Sequence, residues 1–168
     1  SDVYKRQDIN PCFVFHPMNA YEEDNKIILH VCRQNKAMVG GMDEIYGGKD
    51  TTGKLWKWTI DLDAETCKEE QIDDAACDFA RVDDRLTGLK AKNGYAMAID
   101  ENAKTLTFGQ FLYKFNLEKN TRTDHDLGDN VFGGEPVFVP RSKESSEEEG
   151  WVMACLLYTS PSPRDYPG

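Results

Sequence analysis

Residues 54–62 alternate without a break. Leu55, Lys57, Thr59 and Asp61 fall on one side, and Trp56, Trp58, Ile60 and Leu62 on the other. A period of two is incompatible with a helix, whose faces repeat every ~3.6 residues. One large apolar face opposite a mostly polar one predicts a half-buried antiparallel strand. The same pattern recurs along the chain. Residues 12–16 and 26–33 are short runs rich in Phe, Val and Ile, bridged by the polar turn Glu22-Glu23-Asp24-Asn25. Further strands are expected over 94–100, 105–116, 136–140 and 150–154. The segments Asp61-Leu62-Asp63-Ala64-Glu65-Thr66 and Asn116-Leu117-Glu118-Lys119-Asn120-Thr121 echo one another. Each follows an aromatic-aliphatic strand and turns into a polar one. Strand, acidic turn and strand in recurrence suit the four-stranded blades of a β-propeller, although periodicity alone establishes only an all-β protein. Residues 34–53, rich in Gly and charge, read as a loop, and 142–149 as a solvated acidic hairpin tip.

Composition narrows the function classes. A net charge of -10 over 168 residues argues against nucleic acid, which needs concentrated Lys and Arg. No apolar stretch approaches the ~20 residues that cross a bilayer, and the N-terminal residues lack the basic-then-apolar order of a secretory signal. The five cysteines, Cys12, Cys32, Cys67, Cys77 and Cys155, include no C-x-x-C pair. That spacing fits neither a zinc knuckle nor a dense disulfide framework, and it favours a reducing compartment such as the cytoplasm or a plastid.

The two ends read as foreign. Ser1-Asp2-Val3-Tyr4-Lys5-Arg6-Gln7 back-translates to a transposase adapter used to tag sequencing libraries. Cys155-Leu156-Leu157-Tyr158-Thr159-Ser160-Pro161-Ser162-Pro163-Arg164-Asp165 back-translates to the opposite adapter, read through its inverted repeat. The expected organisation is therefore an adapter-derived segment 1–7, an internal fragment of a longer protein over 8–154, and a second adapter-derived segment 155–168.

Three histidines are present. His30 alternates with Ile28 and Cys32, and His125 sits within Asp124-His125-Asp126, so both read as packing or surface residues. His16 ends an apolar strand and precedes a proline, a setting where a lone histidine is more often a packed residue than a metal ligand. Its run, Phe15-His16-Pro17-Met18-Asn19-Ala20-Tyr21-Glu22, resembles the motif of the carotenoid cleavage oxygenases. Two later segments are similar to the same family, in the same order. One is Cys77-Asp78-Phe79-Ala80-Arg81-Val82-Asp83-Asp84-Arg85-Leu86-Thr87-Gly88. The other is Gly133-Gly134-Glu135-Pro136-Val137-Phe138-Val139-Pro140-Arg141, with Gly150-Trp151 downstream.

The resemblance implies an all-β, partial seven-bladed β-propeller with about two to three blades present. It implies iron(II) on the propeller axis, held by four histidines and oriented by three carboxylates. His16 matches one metal ligand. Asp78 matches the carboxylate that orients it, and Glu135 the carboxylate that serves the family's last histidine, which is expected outside this chain. The family usually has Glu at the position of Asp78 and Pro at that of Ala80. Asp is one methylene shorter, so it reaches His16 only if the backbone comes closer or a water bridges the gap. Glu135, lacking its imidazole, is expected to be unpaired or solvated. The implied reaction is oxidative cleavage of a conjugated C=C bond in a carotenoid, apocarotenoid or stilbene, with dioxygen as co-substrate. With one histidine of four, the fragment alone is expected to be inactive. The alternatives are a non-catalytic propeller binding module and a retinoid isomerohydrolase-type member of the family.

Overall fold

The structure, a computed structural model, describes residues 7–37, 50–102 and 107–158. Most of the two ends expected to be foreign, residues 38–49 of the expected loop, and residues 103–106, the last two of which begin the strand expected over 105–116, lie outside the described residues. The described residues form strands β1 (Phe13–Glu23), β2 (Lys26–Gln34), β3 (Lys54–Asp61), β4 (Thr66–Arg81), β5 (Asn93–Ile99), β6 (Phe108–Asn116) and β7 (Thr121–Asp126). Short strands β8 (Val131–Gly133), β9 (Val137–Pro140), β10 (Gly150–Met153) and β11 (Leu156–Tyr158) follow. The one helical element described is a 3-10 turn, Asp84–Leu86.

Local chemistry sets the turns. Asp24 and Asn25 join β1 to β2 with φ of 50° and 58°. Left-handed backbone at both central residues is the hairpin turn whose twist matches the strands, and Asp and Asn tolerate it better than other side-chain-bearing residues. The two echoed segments are the same turn built twice. The Asp61 carboxylate accepts the N–H groups of Asp63 (3.1 Å) and Ala64 (2.9 Å). The Asn116 side-chain oxygen likewise accepts those of Glu118 (3.2 Å) and Lys119 (2.9 Å). Each turn then closes on a left-handed residue, Glu65 (φ 54°) or Asn120 (φ 51°).

These turns occupy equivalent places in two four-stranded antiparallel units. Strands β1 to β7 are hydrogen-bonded in sequence order, and β4 belongs to both units. Its Thr66–Ala76 stretch pairs with β3, and its Cys77–Arg81 end pairs with β5. The first unit is thus β1, β2, β3 and early β4; the second is late β4, β5, β6 and β7. The units stack face to face, in the manner of adjacent propeller blades. Met18, Cys32 and Leu55 of the first meet Cys77, Ala96, Ala98 and Phe115 of the second in one core. Strand β5 is buried along its whole length. Its Ala96 and Ala98 face the first unit, while Tyr95 and Met97 pack with Phe138 of β9 and Val152 of β10, where a third group of strands begins.

Several expectations are corrected. The strand expected over 12–16 continues through Pro17 to Glu23, because two irregularities in its pairing with β2 absorb the proline. Most of 54–61 is partly buried as expected, but Leu55, on the face read as mostly polar, is fully buried, and Trp58 on the other face is 8% exposed. Residue 34 belongs to β2 and not to the loop. Beyond the strand expected over 150–154, Leu156–Tyr158 add a separate strand, paired with β8.

The acidic tip 142–149 is also more than a solvated turn. The Glu147 carboxylate accepts the backbone N–H groups of Lys92 (2.9 Å) and Asn93 (2.9 Å). Arg85 donates to the carbonyls of Ser142, Lys143 and Ser145, and it is itself held by buried Asp83. Asn19 plays a similar role within the first motif. Its amide donates to the carbonyls of Leu86 (3.3 Å) and Leu89 (2.8 Å), and its oxygen accepts the N–H of Gly88 (3.0 Å). Asn19→Ala removes three hydrogen bonds that a buried side chain makes to partly exposed backbone. It should cost about 2 kcal/mol, read as a lower denaturant midpoint at unchanged slope.

Candidate metal-ligand pair and its carboxylates

His16 and Asp78 each sit where a strand departs from regular pairing. On β1, register breaks fall between Val14 and Pro17 and between Pro17 and Asn19. On β4, the break lies between Asp78 and Arg81, and Phe79 adopts φ 55°. A left-handed aromatic is unfavourable by about 1 kcal/mol or more. Two contacts hold it. The Asp78 carboxylate accepts the Phe79 N–H at 2.8 Å, and the Phe79 ring stacks on Phe108 with centroids 4.7 Å apart. Bulges re-aim the side chains beside them.

Here they aim Asp78 at His16. Nδ1–H of His16 donates to Asp78 Oδ1 at 2.9 Å. The shorter Asp therefore makes direct contact without a bridging water. The pair is asymmetric in burial, the Asp78 side chain being 11% and that of His16 45% exposed. The Phe79 ring lies 5.2 Å from the imidazole. With Nδ1–H committed to the carboxylate, the Nε2 lone pair is left over, and no described residue bonds to it. This is the arrangement by which a carboxylate fixes the tautomer and angle of a metal-binding imidazole.

Burial pushes the Asp78 carboxyl above its usual range, a larger effect than the opposing pulls of His16 and the Phe79 N–H. A carboxyl raised in the folded state favours folding most below about pH 3.8 and loses that contribution as pH rises through the raised value. Asp78→Asn removes the charged form. The stability of Asp78→Asn relative to the unsubstituted chain should therefore be greater at pH 7 than at pH 3. Urea titrations at the two values check this, and an equal difference at both would contradict it.

Glu135 lines the same shallow pocket as His16, with Phe79, Arg81 and Asp84. It is not unpaired. Arg81 Nη1 donates to Glu135 Oε1 at 2.9 Å, and Nη2 donates to Asp84 Oδ1 at 2.9 Å. The carboxylate is partly solvated nonetheless, its side chain being 51% exposed. The sequence assigned Arg81 no role; its place in the same motif as Asp78 was the available signal. His30 and His125 do not line this pocket. His30 is 1% exposed within β2, with neither ring nitrogen hydrogen-bonded, and His125 lies on β7 opposite Leu112. Among the described residues, no group of three or more His, Cys, Asp or Glu could hold a metal ion.

The family model described as "Retinal pigment epithelial membrane protein" matches residues 1–164. The apocarotenoid-15,15'-oxygenase of Synechocystis sp. is 32% identical over 158 residues, covering 92% of this chain and 32% of that protein. Cobalt-substituted Synechocystis ACO superposes with a TM-score of 0.73 at 29% identity, over 90% of this chain and 32% of that one. Pseudomonas brassicacearum lignostilbene dioxygenase gives a TM-score of 0.72 at 25% identity, over 86% of this chain and 33% of that one. The chain spans about a third of the length of the relatives it matches.

Proposed function

The chain belongs to the carotenoid cleavage oxygenase family and forms part of a β-propeller, and from that premise we propose that the whole protein is a non-haem iron(II) dioxygenase. Its substrate is an apolar polyene or stilbene carrying a conjugated C=C bond, which dioxygen splits into two carbonyl products. The observation that carries this reading is the His16–Asp78 pair: one imidazole nitrogen is committed to a buried carboxylate at 2.9 Å while the other bonds to none of the described residues. Such an imidazole is suited to iron(II) as a neutral nitrogen donor. When bound, iron supplies the centre at which dioxygen is activated.

The residues of this chain hold and orient. Asp78 keeps Nδ1 protonated, so His16 offers Nε2 in one fixed direction. Glu135 presents a carboxylate to a second imidazole carried by the rest of the protein. Phe79 covers one side of the His16 ring and limits its motion. The chain taken alone supplies one ligand and is inactive in this reading. Its relatives include an apocarotenoid oxygenase and a lignostilbene dioxygenase, which supports the substrate class without choosing within it.

The test is turnover by the purified whole protein, loaded anaerobically with iron(II), on an apocarotenoid and on a stilbene under labelled dioxygen. Stoichiometric oxygen uptake with label in the carbonyl products is the expected result. Isomerisation or hydrolysis without oxygen uptake would support the isomerohydrolase alternative. Stoichiometric failure to bind any divalent metal would support the binding module.

A further inference from the structure

We propose that Arg81 is a positioning residue that aims Glu135 at the imidazole it serves, an inference that rests on the metal-site reading above. The backbone around Glu135 is fixed on two sides. A Cβ at Gly133 would collide with the Met97 side chain, so β8 presses directly on the core there. Pro136 is fully buried. The carboxylate beyond this fixed backbone is half-exposed, and a solvated Glu samples several rotamers. One side chain restrains it.

Arg81 does so with a fork that is itself anchored. Nη2 is held by Asp84 at 2.9 Å, leaving Nη1 to grip Glu135 Oε1 at 2.9 Å. Asp84 opens the 3-10 turn that follows Asp83, and Asn19 ties that turn and the following loop back to β1, three residues beyond His16. The Asp84–Arg81–Glu135 chain thus links the His16 strand to the second carboxylate through hydrogen bonds and the backbone of the 3-10 turn. A planar, always-charged guanidinium can satisfy both carboxylates at once, whereas an ammonium is a single point charge on a flexible stem. With Oε1 occupied, Oε2 is the atom left to accept an imidazole N–H. Losing an outer partner of a metal-bound histidine costs about 10–100-fold in metal affinity. Arg81, acting one bond further out, belongs at the lower end.

The experiment uses the whole protein and cobalt(II), with affinity read by chelator competition and geometry by the visible absorption of the bound ion. Arg81→Gln should weaken cobalt binding about tenfold and alter that spectrum, and Arg81→Lys should fall between it and the unsubstituted protein. Glu135→Gln combined with Arg81→Gln should bind no more weakly than Glu135→Gln alone, because Arg81 acts through Glu135. Unchanged binding in Arg81→Gln, or additive losses in the double variant, would overturn the proposal. Should Arg81→Gln not fold, Arg81→Lys decides, and affinity equal to that of the unsubstituted protein would overturn it. Absence of cobalt binding by the unsubstituted protein would instead remove the metal-site reading itself.

Discussion

Replacing His16 with Ala in the whole protein should abolish metal binding and C=C cleavage together. The pair's geometry makes the two losses inseparable. The imidazole is the group through which this chain would reach iron, and Asp78, buried to 8% exposure, is placed to hold that ring. Removing an outer partner costs about 10–100-fold, so losing the ligand itself should exceed ~100-fold in affinity. The substitution also strands Asp78, whose carboxyl burial already pushes upward and whose His16 contact partly offsets that push. A fall in folded stability should therefore accompany the loss at neutral pH, and Asp78→Asn added to His16→Ala should restore most of it. Metal content by elemental analysis, and melting temperature for the two variants, check both halves. Cleavage retained at more than a few per cent would remove His16 from the ligand set.

His30→Leu is the substitution expected to stabilise the fold most. His30 lies in β2 between Asn19 of β1 and Lys57 of β3, with Tyr21 stacked 6.5 Å away, and neither ring nitrogen has a hydrogen-bond partner. Burial first, and the Lys57 charge second, lower its pKa from 6.5 to about 4. The sign follows from linkage. Below pH 6.5 the unfolded chain takes up a proton that the folded chain refuses until about pH 4. Stability therefore falls as pH drops through that window, by about 3 kcal/mol in all. Leu fills similar apolar space and cannot titrate. The variant should gain about 1 kcal/mol at pH 7 by removing an unsatisfied polar group, and about 3 kcal/mol more at pH 4. Urea midpoints across that range measure the gain. A pH-independent difference would show that His30 is protonated in the folded state or bonded through a buried water.

Much of this was legible in the sequence. Period-two alternation located β3, and the paired turns after Asp61 and Asn116 proved to be one turn used at equivalent places in two units. Motif order brought out His16, Asp78 and Glu135; in the structure His16 and Glu135 line one pocket, and Asp78 is bonded to His16. What escaped has a physical cause in each case. Strand β4 was hidden because Cys67 to Asp74 is acidic and polar, and its stability comes from pairing with β3. The continuation of β1 through Pro17 was hidden because proline signals a turn unless a bulge absorbs it. Arg81 and Glu147 act across long sequence separations, Arg81 on Glu135 and Glu147 on the backbone of Lys92 and Asn93. Such pairings depend on how the blades stack, which no local pattern encodes.

The most direct test of the central claim is the location of the metal in the whole protein, by anomalous X-ray scattering at the iron or cobalt edge. The account predicts one peak about 2 Å from His16 Nε2, the length of an imidazole–metal bond, with Nδ1 still donating to Asp78. A peak remote from His16, or one bound through Nδ1 with Asp78 displaced, would contradict it.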